Sequence, residues 1–141
     1  MTSLVQVIYC SEAKANLQAA DIEQILLYAR EHNAKKNITG LLTFDSKFFL
    51  QVLEGERQAV SDLITRIGKD PRHHRFCLLC ANTIYKRDFA SWSMAYVGQT
   101  KLNKTVLLNY STDGKFNPFV FTTESALMLL RDLATTSVVA G

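Results

Sequence analysis

Apolar and polar positions change period along this chain, and the changes mark its elements. Val5–Cys10 is a β-branched and aromatic run that predicts a first strand. Ile22, Ile25, Leu26 and Ala29 then recur at helical spacing. Asp21 is expected to start that helix, with Gln24 as its capping-box partner. Thr39–Phe44 and Phe48–Leu53 read as two strands around a short Asp45-Ser46-Lys47 connection, and Glu54-Gly55 is expected to close the hairpin. Val60, Leu63, Ile64 and Ile67 mark a second helix that ends near Gly68, and Asp70-Pro71 breaks the chain. Phe76–Ile84 is apolar without alternation, which predicts a central strand buried on both faces. Met94–Val97 completes the series.

The order β-α-β-β-α-β-β predicts an α+β, ferredoxin-like fold: a mixed five-stranded sheet with two helices on one face. Residues 1–98 are expected to form this unit. Residues 99–141 read as a C-terminal helical extension that packs on the other face. Within the extension Thr105–Asn109 suits a short helix, Ser111–Pro118 is turn-rich, and Glu124–Leu133 is amphipathic. The tail after Thr135 is expected to fray. Phe116, Phe119 and Phe121 either bury inside the domain or form an interface.

The composition narrows the function. The chain has 141 residues, 48% hydrophobic and 21% charged, which suits one globular domain and not a disordered chain. A net charge of +3 from scattered residues gives no nucleic-acid footprint. The densest basic group, Lys69 to Arg75, is either a solvated helix-to-strand connection or an anion contact at a loop. No apolar run is long enough to span a bilayer, and the N-terminus lacks a secretory leader, so a cytoplasmic location is expected. Three cysteines argue against a disulfide framework. Cys77 and Cys80 form a C-x-x-C, but on the strand expected there they face opposite sides and the thiols diverge, and no second pair at zinc spacing completes a metal site.

Polar residues at apolar positions carry the functional signal. Gln51 shares a strand face with Phe49 and Leu53, where an unpaired amide costs about 1–3 kcal/mol. It therefore needs a partner, unless that face meets solvent. Asn33 falls within the apolar stripe of the first helix, though an asparagine can also end a helix there. Tyr9 shares a face with Val5 and Val7 and is either core or chemistry. With strands one and three adjacent, Tyr9, Gln51 and Asn33 converge between the helices, and Ile25 and Ile67 form flat walls. Such a slot suits a planar heteroaromatic ligand with polar edges.

On these residues the chain resembles the BLUF family, sensors of blue light using flavin. The matching segments are Ile8-Tyr9, His32-Asn33 before Ile38-Thr39-Gly40, and Phe48-Phe49-Leu50-Gln51-Val52-Leu53-Glu54-Gly55. Arg66-Ile67 ahead of Asp70-Pro71-Arg72-His73 and Phe89-Ala90-Ser91-Trp92-Ser93-Met94 complete the set. The resemblance covers roughly residues 4–98.

The resemblance implies a flavin ring between Ile25 and Ile67. Asn33 would hold its carbonyl and N–H edge, with His32 assisting, and Gln51 would bridge Tyr9 to the ring. Phe49 would line the slot, Arg66 would contact the ligand, Asp70 would meet the ribityl chain, and Arg72 and His73 would lie at the rim. FAD is the expected ligand, with FMN or riboflavin as alternatives. The implied function is light sensing, not enzymatic turnover. By the same resemblance an electron would leave Tyr9 for the excited flavin, a proton would follow through Gln51, and the amide would be left rotated or tautomerised with the flavin absorption shifted to the red. Trp92 and Met94 would compete for a place near Gln51, and the last strand would pass the change to the C-terminal helices. Self-association and an unknown downstream protein are the expected partners. Rival readings are an acylphosphatase-type hydrolase, a dark flavin oxidoreductase, or a purely oligomerising module. Cys10, next to Tyr9, would allow minor competing thiol chemistry.

Overall fold

The computed structural model describes residues 3–135. The sheet holds β1 (Leu4–Ala13), β2 (Thr39–Phe44), β3 (Phe48–Glu56), β4 (His73–Thr83) and β5 (Ala95–Val97), in the order β4-β1-β3-β2-β5. The first four strands pair antiparallel, and β5 adds to β2 in parallel. Helices α1 (Ala19–Lys36) and α2 (Arg57–Gly68) cover one face. Short α3 (Lys104–Leu107), α4 (Thr123–Ala134) and two single 3₁₀ turns pack on the other. This is the mixed, ferredoxin-like arrangement the element order predicts. The expected fraying of the tail after Thr135 concerns residues outside the described ones.

The period of two in the strands sorts side chains into two cores. Val7, Tyr9, Leu42, Phe49 and Leu53 meet Ile22 and Leu26 of α1 and Val60 and Leu63 of α2. Ile8, Cys10, Leu41, Leu50 and Val52 meet Leu129, Leu130 and Leu133 of α4. Those three leucines are at most 1% exposed, and each contributes about 2 kcal/mol by leaving water. Phe116 and Phe121 are buried in the same core, and Phe119 is partly buried against it, so these rings lie within the domain.

Several local expectations need correction. Helix α1 starts at Ala19, before Asp21. Gln18 is its N-cap, and the Asp21 carboxylate accepts the Gln18 backbone N–H at 2.8 Å. Its C-cap is Asn37 in the left-handed region, not Asn33. Glu54 and Gly55 continue β3, because β1 pairs with it as far as Glu56. His73, His74 and Arg75 already belong to β4, with His74 and Arg75 exposed, so the connection from helix to strand is shorter than expected.

The largest correction concerns β4. It is an edge strand, with Leu78 51% exposed. Its apolar run reflects partial cover on both faces: Phe76 packs against the helix side, while Cys77 and Leu79 pack against the C-terminal layer. The register also slips twice. Ile8 pairs with Cys80 but Tyr9 with Leu78, and Cys10 pairs with Cys77 but Glu12 with His74. The extra residue at Leu79 brings Cys77 and Cys80 to the same face, contrary to the regular-strand expectation. The second slip contains Arg75 at φ 53, a left-handed backbone that costs a non-glycine residue roughly 1–2 kcal/mol.

Glu54 is a fully buried carboxylate on the C-terminal side of β3. Its oxygens accept the Gln6 amide N–H at 2.8 Å and the backbone N–H groups of Asp88 and Phe89 at 2.9 and 2.7 Å. Asp88 also accepts Arg131 of α4 at 2.9 Å. The segment before β5 is thereby tied to both β3 and the C-terminal helix.

Gly40 marks a close approach of β2 to β3: a Cβ there would be driven into the Val52 carbonyl oxygen. Gly40→Ala is expected to cost roughly 3 kcal/mol, read as a lowered denaturant midpoint in chemical unfolding. An unchanged midpoint would show that the strands can part without cost.

Candidate functional site

Tyr9 and Gln51 are direct ladder partners on the helix face of β1 and β3. The Tyr9 hydroxyl donates a short hydrogen bond to Gln51 Oε1. Gln51 Nε2 donates to the Met94 sulfur at 3.2 Å. These three side chains are at most 4% exposed. Burial pushes the Tyr9 phenol far above its ordinary value, and the nearby charge of Asp70 adds to it. The phenol is therefore a firmly neutral donor. Cys10 is pushed up to about 12 by burial first and by Cys77 second, so it stays a thiol rather than a competing thiolate.

Tyr9 and Gln51 form the floor of a cavity of about 530 Å³ between α1 and α2. Ile25 and Ile67 stand on the two helices, and Asn33, Phe49, Arg66, Asp70, Arg72 and His73 also line it. The fully buried Asn33 donates its amide to the Ser93 carbonyl at 2.9 Å. Its Oδ1 lies 3.4 Å from His32 Nδ1. Arg66 reaches across the rim, donating to Tyr28 Oη at 2.6 Å and to His32 Nε2 at 2.9 Å. Nε2 is then the acceptor, which leaves Nδ1 as the N–H that faces Asn33.

At the other end Arg72 grips the Asp70 carboxylate, with NH2–Oδ2 at 2.6 Å and Nε–Oδ1 at 3.0 Å. Burial works to raise the Asp70 carboxyl, but these Arg72 bonds hold it below its ordinary value. His73 donates through Nε2 to the Ile67 carbonyl at 2.5 Å, since a carbonyl can only accept. Its Nδ1 then accepts from the buried Ser11 hydroxyl at 2.6 Å. His73 thus pins the α2 wall to β1.

Three expected residues, His32, Trp92 and Met94, are not part of the cavity lining. His32 sits at its rim and acts through Arg66 and Asn33. Trp92 packs against the C-terminal core, on the opposite side of the sheet from Met94 beside Gln51. Sequence reasoning missed Tyr28, Ala29, Leu42, Leu63, Lys69 and Pro71 in the lining. Helical spacing from Ile25 and Ile67 would have found Tyr28, Ala29 and Leu63. Leu42, opposite Gln51 in the hairpin, needed the register.

The cavity suits three fused rings with polar edges: apolar side walls, and buried amides on its floor and flank. Gln51 carries two N–H bonds, and the described protein partner of Nε2 is a single sulfur, so a donor remains for a ligand. The family model described as "Sensors of blue-light using FAD" matches residues 4–95. The chain belongs to the BLUF family. It is 39% identical over 72 residues to the photoactivated adenylate cyclase subunit beta of Euglena gracilis, covering 51% of this chain but 8% of that protein. Among solved structures, BlsA in its photo-activated state matches with a TM-score of 0.88 and 30% identity over 98% of this chain and 99% of that one. The dark-state structure of BlrB, a BLUF protein, matches with a TM-score of 0.80 and 28% identity over 95% and 96%. A BLUF domain binds flavin and senses blue light, and it is not itself an enzyme. That sets aside the hydrolase and oxidoreductase readings. Among the described residues no helix is long and apolar enough to cross a membrane, and no cluster of ligands suits a metal ion.

The raised Tyr9 value has a pH consequence. The folded phenol keeps its proton while an unfolded one loses it near pH 10. Its contribution to stability is therefore full below pH 10 and falls as pH rises further. Denaturant midpoints measured from pH 8 to 11 should fall more steeply for the wild type than for Tyr9→Phe. Parallel curves would mean that Tyr9 ionises freely in the fold.

Proposed function

We propose that this BLUF domain binds FAD in the cavity between α1 and α2 and reports blue light through the Tyr9–Gln51–Met94 chain of contacts. The carrying observation is the buried amide of Gln51, which accepts from a phenol and donates to a thioether sulfur. A flavin excited by blue light supplies an oxidant strong enough to take an electron from a phenol.

Tyr9 gives up that electron, and its hydroxyl proton moves along the existing bond toward Gln51 Oε1. When both return, the amide has rotated or tautomerised. The sulfur of Met94 is a weak acceptor and yields its contact at small cost. Asn33 holds the carbonyl and N–H edge of the ring, with its orientation set by His32 and Ser93. Ile25, Ile67 and Phe49 flank the ring and exclude water. Asp70, kept ionised by Arg72, accepts from the ribityl chain, and Arg66 closes the rim. Lys69 and Arg66 add positive charge to the lining that the Arg72–Asp70 pair does not offset, which suits the phosphates of FAD and FMN over uncharged riboflavin.

In this reading residues 1–98 form the sensor and residues 99–141 carry the output. Met94 ends the segment that Glu54 and Arg131 hold at its other end. A change at Gln51 therefore reaches α4, and through it a partner protein or a second copy in the cytoplasm.

Visible spectra before and after blue light test the reading. The purified protein should be yellow and show a small, reversible red shift. Tyr9→Phe or Gln51→Leu should abolish the shift while flavin stays bound. Normal photocycling in Gln51→Leu would overturn the bridging role. Chromatography of the acid-released flavin against FAD, FMN and riboflavin standards identifies the ligand.

A further inference from the structure

Tyr9 needs more than a partner for its hydroxyl. A phenolic O–H lies in the plane of its ring, and the Tyr ring torsion is otherwise broad. The ring plane therefore sets whether the proton points at Gln51 Oε1, and hydrogen bonds weaken steeply off axis. The ladder partner of Tyr9 on β4 is Leu78, which is half exposed and gives little support. Phe76 supplies it instead. Its ring stacks on the phenol at a centroid distance of 4.8 Å and an interplanar angle of 24°. His73 meets both rings edge-on, at 6.4 Å from Tyr9 and 6.2 Å from Phe76.

This arrangement depends on a backbone irregularity. On a regular strand His73 and Phe76 would face opposite sides, being three residues apart. Arg75 and Phe76 together oppose the single residue Ser11, and Arg75 takes φ 53. This bulge turns His73 and Phe76 to the same face. Bulges re-aim side chains near functional sites, and a strained residue persists only where its surroundings hold it. The restraint comes from the far face of the sheet. The Arg75 guanidinium lies over the Phe119 ring at 4.1 Å and meets Glu12 Oε1 at 2.8 Å. The C-terminal extension thus braces the bulge that aims Phe76.

Resting on the reading of Tyr9 as the photo-oxidised donor, we propose that Phe76, aimed by the left-handed Arg75 bulge, is a positioning residue that fixes the plane of the Tyr9 phenol toward Gln51. An aromatic pair of this kind biases geometry by about two- to tenfold. The full chain loaded with FAD tests it, with wild type and Tyr9→Phe as references. Phe76→Leu should lower the yield of the red-shifted state by about two- to tenfold at unchanged flavin content. Phe76→Tyr, which keeps the ring, should restore it. The infrared band of ring-deuterated Tyr9 in the dark should broaden in Phe76→Leu and not in Phe76→Tyr. Arg75→Val should reproduce the loss with Phe76 intact, because a β-branched residue resists the left-handed backbone. Wild-type yield and an unaltered phenol band in both Phe76→Leu and Arg75→Val would overturn the proposal. A wild type without any light response would overturn the photochemical reading instead, and the dark phenol band would still decide the role of Phe76.

Discussion

The bond from the Tyr9 hydroxyl to the Gln51 amide is the interaction on which the rest of the site depends. Both groups are cut off from water, so each polar atom must find a partner in protein or ligand. The amide offers one oxygen and two N–H bonds, and any rotation exchanges their roles. In a rigid polar cage that exchange would strand a donor at high cost. Here the competing protein acceptor is the Met94 sulfur, a soft and weak one. The amide is thus held by one strong and one weak protein contact, which suits the two-state role proposed for it.

The same strand connects the two faces of the sheet. Gln51 points to the helices, and Glu54 points to the C-terminal layer. The short chain segment before β5 touches both, through Met94 at one end and through Asp88 and Phe89 at the other. Arg131 joins that segment to α4. On the other flank Arg75 joins the Tyr9 side of β4 to Phe119. The C-terminal extension is therefore linked to the cavity from two directions, although none of its described residues lines it.

Much of this was legible in the chain. The period of two in Phe48–Leu53 and the helical spacing of Val60, Leu63 and Ile67 reflect local backbone geometry, and they place the elements that frame the cavity. Tyr9, Asn33 and Gln51 stood out because each interrupts an apolar face. The failures have non-local causes. Asp21 looked like a cap because an acid often starts a helix, yet here it serves the cap from the third helical position. Glu54-Gly55 looked like a turn because nothing nearby shows that β1 extends to pair with it. His32 neighbours Asn33 in sequence but lies at the rim, since adjacent helical residues diverge around the axis.

The sequence by itself determined which segments become strands and helices and which polar residues must meet inside. These follow from side-chain periodicity and from the cost of burying an unpaired group. Only the tertiary structure decided that β4 lies at the edge, that two bulges turn Cys77 and Cys80 to one side and His73 and Phe76 to the other, and that Met94 rather than Trp92 meets Gln51. Those outcomes depend on the pairing register and on competition for space between segments far apart in the chain. A local pattern carries no record of either.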